Sequence, residues 1–529
     1  MASVSASSNC GAFCTETRCL HFSSTLHGKM LAQFCTQKLS FSDAKREHKQ
    51  HKPGFPRNNK LLEGSAYVDT ELGPEEKKPP LGLHRDDAHV RRTELPSSAY
   101  VHLPFCKRRC FYCDFAIVAV GERNKTNAAH IDSTMDSYVN SLRAEITATL
   151  KMYPELIPLK TLFFGGGTPS LLPAHHLLEI IEIFERSCGF EINAEVSMEM
   201  DPGTFDRAKM KEFLNCGVNR VSLGVQAFND EFLKSCGRSH GLQDVYESID
   251  IIYDLGVQNW SLDLISSLPH QTLQRWEESL QKAIELGPAH ISVYDLQIEE
   301  GTKFGNWYKP GQHPLPNEDN SAAFYRLASS LLKKAGYEHY EISNYAKPGF
   351  QCRHNLVYWK NQPYYGFGLG ATSYVHGNRL SRPRKWKEYA DFVELSIKVQ
   401  QQNISSVQSA SSPAHESVME NVVDRLCDTI MLSLRLACGL DLHCISHTFG
   451  HEWCLRVCES FTPFVNSGHA IALDSNSRPM PPDIFSEVIS QGLPFHASRE
   501  ITFIRLADPE GFLLSNEIIS SLFSALPSG

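Results

Sequence analysis

Three cysteines carry the strongest chemical signal in the chain: Cys106, Cys110 and Cys113 of AYVHLPFCKRRCFYCDFAI, spaced x3 and then x2. They follow an apolar run that reads as a strand and stand on a loop too short for a helix. Such a loop can wrap one compact metal centre. A disulfide joins only two thiols, with Cα atoms about 4.4–6.8 Å apart, and strands the third. Structural zinc takes four closed ligands, and the loop supplies no fourth Cys or His. Three thiolates suit a four-iron cluster whose remaining iron is open to an outside ligand, although such clusters more often take four protein thiolates.

Further polar residues recur where strands should end. TLFFGGGTPSLL runs from an apolar strand into Gly165, Gly166 and Gly167, residues that let a backbone approach a ligand closely. Glu199 in SMEMDPG, Gln226 in LGVQAF, Arg238 in GRSH and Asp263 in SLDLISSLP follow. A carboxylate in such a place accepts from hydroxyls, and a guanidinium pairs a carboxylate bidentately. GFGLGA at 366–371 lacks the spacing and downstream acid of a dinucleotide fingerprint. It reads as a turn that brings backbone close to the cysteine centre or to the ligand that such a centre would bind. Cys454 and Cys458, without a second pair, read as structural.

The elements that must position these residues alternate. Ala99–Pro104, Thr161–Gly165, Glu195–Met200, Arg220–Gln226, Trp260–Ile265 and His290–Leu296 read as strands. Asp136–Leu150, Leu177–Cys188, Phe205–Cys216, Val245–Leu255 and Leu273–Leu286 have helical spacing of apolar residues. Six such units predict an α/β fold with parallel strands, a closed eight-unit barrel being the competitor. Either arrangement gathers chemistry at the carboxyl ends of the strands.

Composition bounds the rest. The chain is 42% hydrophobic and 21% charged, with no apolar run long enough to span a membrane, which leaves room only for peripheral contact. A net charge of −9 argues against nucleic acid as a partner. The 16 cysteines are scattered apart from the one tight group, which favours a metal centre in a reducing compartment over a disulfide frame. Residues 1–60 are Ser-rich, with Lys and Arg outnumbering Asp and Glu. They read as an organellar transit peptide, chloroplast favoured over mitochondrion. Residues 61–97 read as a charged, Pro-rich linker.

CxxxCxxC after a first strand, with Tyr112 before the last cysteine, resembles the radical-SAM superfamily. There the open iron chelates S-adenosylmethionine (SAM), whose reductive cleavage gives a 5'-deoxyadenosyl radical. The resemblance implies SAM contacts from Tyr100, Gly166, Gly167, Thr168, Glu199, Gln226, Arg238 and Asp263, and cluster ligation by Cys106, Cys110 and Cys113. YVHLPFC, GGGTPS, LGVQAF, LDLISSLP and RHNLVYW are similar to one subgroup, the oxygen-independent coproporphyrinogen oxidases and heme chaperones. GFLLSNEIISSLF is similar to its C-terminal domain. The implied architecture is a partial (β/α)6 barrel over 98–395 that includes the HNxxYW stretch, a linker at 396–419, and a smaller, mainly helical domain at 420–529.

Two details divide the subgroup. The oxidase pattern continues to a cysteine two residues past the third, where this chain has Phe115. His354, in HNLVYW, resembles a heme-binding motif of the chaperones, and neutral imidazole is a good axial iron ligand. The other reading of His354 is packing behind the barrel. The expectation is a chaperone that holds heme and a SAM-ligated [4Fe–4S] cluster and delivers heme to an apo-hemoprotein, with a reductant as a further partner. Radical decarboxylation of coproporphyrinogen is the alternative.

Overall fold

The computed structural model describes residues 95–153, 155–405, 422–492 and 500–526. The expected transit peptide, and the linker as far as residue 94, lie outside the described residues.

The six expected strands form, in chain order, as Ser98–Leu103, Leu159–Gly166, Phe190–Met200, Arg220–Gln226, Trp260–Ser266 and His290–Asp295. Each is hydrogen-bonded in parallel to the next. Parallel strands covered on both faces read as nearly unbroken apolar runs, and all six residues of the first strand are buried. Its Ala99, Val101 and Leu103 belong to the main hydrophobic core under the helices. The alternate residues, Tyr100 and His102, take the opposite face, as a period of two dictates.

The sheet is longer than six strands. Tyr365–Phe367 adds in parallel outside the first strand, and Asn344–Ala346 and Glu338–Glu341 add antiparallel outside the sixth. Three- and four-residue strands are too short to show a period, so the sequence gives no sign of them.

Helix Ala128–Lys151 buries Ile131, Met135, Tyr138, Val139, Leu142 and Ile146, an i, i+4, i+7 stripe. Helix Trp386–Ser405 adds Tyr389 and Val393 to the same core. The chain is therefore helical through Ser405, inside the stretch expected as a linker from 396; residues 406–421 lie outside the described ones. Between these two helices Glu145, with a side chain 0% exposed, accepts from Arg382 Nε at 2.8 Å. It also accepts from Tyr389 Oη at 2.7 Å and Gly368 N at 2.9 Å.

The C-terminal part, expected as mainly helical, also holds a three-stranded antiparallel sheet. Ile501–Leu506 lies between Leu440–Asp441 and Ala470–Asp474. Its strands are short and separated by helices, which hides them in the sequence. Cys454 and Cys458 are buried one helical turn apart, in a core with Val457 and Phe461. Arg326 donates to both oxygens of Glu510 at 2.7 Å, and Ser329 to Asp508 at 3.0 Å, joining this part to the barrel. No helix among the described residues is long and apolar enough to cross a membrane.

Candidate functional site

A cavity of about 280 Å³ runs into the barrel from the carboxyl ends of the strands. Cys106, Cys110 and Cys113 line its mouth, and Gly166, Gly167, Thr168, Glu199, Gln226, Arg238 and Asp263 line its walls. Of the sequence-predicted residues, Tyr100 and His354 are outside the lining.

The cysteine loop is held by its own backbone. Phe105–Cys106 pairs in parallel with Val118–Ala119, which closes the loop at its base. Val118 N donates to Pro104 O at 2.7 Å, and Cys113 N to Cys110 O at 3.2 Å. Arg109 Nη1 donates to the carbonyls of Cys113 and Phe115 at 3.1 and 2.9 Å. At the tip, Phe111 N donates to Cys236 O at 2.9 Å. The ring of Phe111 lies so near Gly237 (φ +72°) that a Cβ there would stand 2.6 Å from it. Only glycine meets both conditions at 237.

Two donors point at the sulfurs. Thr168 Oγ1 donates to Cys106 Sγ at 3.5 Å, and Arg238 Nη1 to Cys110 Sγ at 3.4 Å. Burial pushes the Cys106 thiol up to about 12, and burial with the neighbouring Cys110 raises that of Cys113. Buried thiols of this kind ionise when a cation is present to take the sulfur. Among the described residues, no three Cys, His, Asp or Glu side chains converge on a single-ion position. The three sulfurs instead share one cavity mouth, and soft thiolates with outer hydrogen-bond donors fit an iron–sulfur cluster.

Arg238 is also the hub of the wall. It forms an ion pair with Asp201 and donates to Tyr112 Oη at 3.1 Å and Gly224 O at 3.1 Å. Sequence reasoning named Arg238 and missed Asp201. The signal was available: Asp201 stands two residues after Glu199, just past the end of that strand, and both line the cavity.

The glycines turn out to serve the protein as much as a ligand. A Cβ on Gly166 (φ +112°) would fall 2.3 Å from the His102 ring, and one on Gly167 would fall 2.6 Å from Pro104 backbone. Their small size lets the second strand end against the cysteine loop. Gly166 N donates to Glu199 Oε2 at 2.9 Å. Gln226 ends its strand at φ +69°, a strained conformation for a residue with a side chain. Ser222 Oγ donates to both Asp263 oxygens at 3.0–3.1 Å, and burial raises the Asp263 carboxyl.

Burial also raises the Glu199 carboxyl to about 7, with the Gly166 N–H partly opposing it. The native state therefore keeps this proton at pH values where the unfolded chain has lost it. Stability from this group is full below about pH 4.5 and declines as pH rises through 7. The cavity admits water, so the total of about 3 kcal/mol is a ceiling. In cluster-free protein, the pH dependence of urea unfolding should flatten by up to that amount in Glu199→Gln. Parallel curves for wild type and variant from pH 5 to 8 would refute the assignment.

Two expected contacts stand outside the lining, and one expectation needs correction. The Tyr100 hydroxyl shares a hydrogen bond with His102 Nδ1 at 3.1 Å, and its ring stacks on Phe163. GFGLGA does not approach the cysteines. Gly368 N is bonded to Glu145 and Leu369 N to Tyr138, and a Cβ on Gly366 would meet Thr372 backbone at 2.1 Å. His354 is 1% exposed, with Nδ1 bonded to Thr161 Oγ1 at 2.7 Å and Nε2 to Tyr358 Oη at 2.9 Å. Its ring stacks on Phe163. In this conformation it packs behind the barrel wall, and neither nitrogen is open to iron.

The family model of the radical SAM superfamily matches residues 100–283. The chain is 39% identical over 433 residues to the heme chaperone HemW of Synechocystis sp., covering 82% of this chain and 97% of that protein. It is 32% identical over 277 residues to radical S-adenosyl methionine domain-containing protein 1, mitochondrial, of Danio rerio, covering 52% and 60% respectively. The solved structure of coproporphyrinogen III oxidase (HemN) from Escherichia coli aligns with a TM-score of 0.59 at 19% identity. That alignment covers 84% of this chain and 94% of the other, and it speaks for the fold alone. The cysteine loop, the glycine-ended strand and the relative matched over nearly its whole length agree: the chain belongs to the radical SAM superfamily and, within it, to the heme chaperone HemW family.

Proposed function

We propose that the protein is a heme chaperone: it holds heme, carries a [4Fe–4S] cluster on Cys106, Cys110 and Cys113, and passes heme to an apo-hemoprotein. The observation that carries this reading is Phe115. Two residues past Cys113, where the oxidase pattern has a further cysteine, a half-buried aromatic ring lines the cavity mouth.

SAM fits the wall residues by chemistry. Glu199 and Asp263 can accept from hydroxyls, Gln226 can donate or accept, and Arg238 fixes the Cys110 side of the mouth. When present, the cluster supplies an electron from an external reductant and an open iron for the cofactor. The rest of the work belongs to the chain: Thr168 and Arg238 orient sulfur, and the Phe111 platform shields the loop tip.

Anaerobic heme transfer tests this function. Cluster-loaded protein with bound heme should convert an apo-hemoprotein to its holo form, and the same preparation should leave coproporphyrinogen unchanged with SAM and reductant. Protoporphyrinogen formation without heme transfer would favour the oxidase instead. Ligation of heme by His354 would require one of its two hydrogen bonds to open, the one on the nitrogen that meets iron, while the other could stay; an unchanged Soret spectrum in His354→Ala would exclude it. For residues 1–60, a transit function is read from composition, with chloroplast import favoured. A reporter fused to that segment and left outside isolated organelles would count against it.

A further inference from the structure

The interior of a strand barrel is ordinarily filled by layers of branched apolar side chains. At the end of this cavity remote from the cysteines, Ser197, Arg220, Ser222, His290, Ser292 and Cys352 line it instead. Arg220 and His290 are the first residues of their strands, so this chamber lies at the amino ends of the sheet. The pairing register sets Ser197 beside Arg220, and Ser261 beside both Ser222 and His290.

Two buried donors face this space. His290 is 1% exposed, and its Nδ1 is a buried nitrogen with no hydrogen-bond partner. Its Nε2 is 2.9 Å from Tyr340 Oη, which already accepts Cys352 N–H at 3.3 Å. Among the described residues Nε2 is the one acceptor within reach of the Tyr340 hydroxyl, so the tyrosine proton goes to Nε2 and the single proton of a neutral imidazole is left on Nδ1. Burial and the nearby Arg220 charge hold His290 neutral. Arg220, 3% exposed, gives one N–H to Asn259 Oδ1 at 3.0 Å and stands beside Glu195 and Cys352. Glu195 is itself held by the backbone N–H groups of Arg353 and His354 at 3.2 Å. A buried donor left without a partner destabilises the fold. A partner that accepts in this chamber recovers that cost.

We infer that the chamber is a second subsite of the cavity, which takes a compact carboxylate through the Nδ1–H of His290 and the guanidinium of Arg220. Two sources share that chemistry: a propionate arm of heme and a free small carboxylic acid. Only the heme source rests on the proposed chaperone function. Two carboxyls oppose an anion there: Glu195, beside Arg220 and held by two backbone N–H groups, and Asp263 in the cavity wall, which burial biases toward its neutral form.

The test uses the full, cluster-loaded chain under anaerobic conditions. Heme and heme dimethyl ester are titrated by Soret absorbance, and sodium propionate by calorimetry, into wild type, His290→Leu and His290→Gln. A hydrogen-bonded carboxylate should favour heme over its ester by about tenfold. His290→Leu should erase that preference without changing ester affinity, and His290→Gln, which retains an N–H donor, should restore part of it. Propionate binding that is lost in His290→Leu, with no acid-over-ester preference for heme, supports the subsite with the free acid as its source. If wild type neither distinguishes heme from its ester nor binds propionate, the inference is overturned, and heme binding in that experiment leaves the chaperone function standing. If propionate binds and heme does not, the chaperone function falls and the subsite remains. The wild-type titrations decide even if a variant fails to fold.

Discussion

Replacing Cys113 with alanine is expected to abolish the cluster. After anaerobic reconstitution, iron and sulfide per chain should fall to background and the broad visible absorbance should vanish. The fold should survive, because the loop is tied elsewhere. Phe105–Cys106 pairs with Val118–Ala119, Arg109 holds the carbonyl of Phe115, and Phe111 is bonded to Cys236. Near-UV circular dichroism of the cluster-free variant should therefore match that of cluster-free wild type. Cys216, a half-buried thiol at the C-terminal end of helix Arg207–Asn215 and outside the cavity lining, provides the control, and Cys216→Ala should load normally. Wild-type iron in Cys113→Ala would rule out the three-cysteine site.

The second large effect is on stability. Arg382→Leu leaves Glu145 with a fully buried carboxylate and no cation. Tyr389 and Gly368 still donate to it, but neither carries charge. Removing one partner of a buried pair costs about 3–5 kcal/mol, because the remaining charge has lost the water it gave up on folding. Urea unfolding of cluster-free protein should show that loss. Replacing both residues, as Glu145→Leu with Arg382→Leu, should recover much of it. A single-variant loss under about 1 kcal/mol would mean the pair is hydrated or dispensable.

The parts of this structure that the sequence made legible share a physical cause. Strands buried on both faces are apolar runs, and helices with one covered face repeat every three to four residues. All six barrel strands and the five longer helices between them announce themselves in that way; the six-residue helix Asp230–Ser235 does not. Phe163 shows where the method stops. Its ring separates Tyr100 and His354 from the cavity, yet it reads as one more apolar residue of a strand. Asn344–Ala346 and Tyr365–Phe367 are each too short to carry a period. The 366–371 glycines were legible as a close approach, but what they approach, Tyr138, Glu145 and Thr372, depends on contacts made over long separations. At the mouth, cysteine spacing was enough to find the ligands. The pairing of Arg238 with Asp201 depends on two strand ends meeting in space.

That pairing bears on the order of events in the life of the chain. Arg238 grips Asp201, Gly224, Tyr112 and Cys110 at once. Small zinc domains acquire shape and metal together, since their binding energy is their folding energy. In this protein the receptacle is assembled by its own polypeptide. Folding and cluster loading are then expected as separable stages, so cluster-free protein should unfold in urea as a cooperative unit and gain stability on loading.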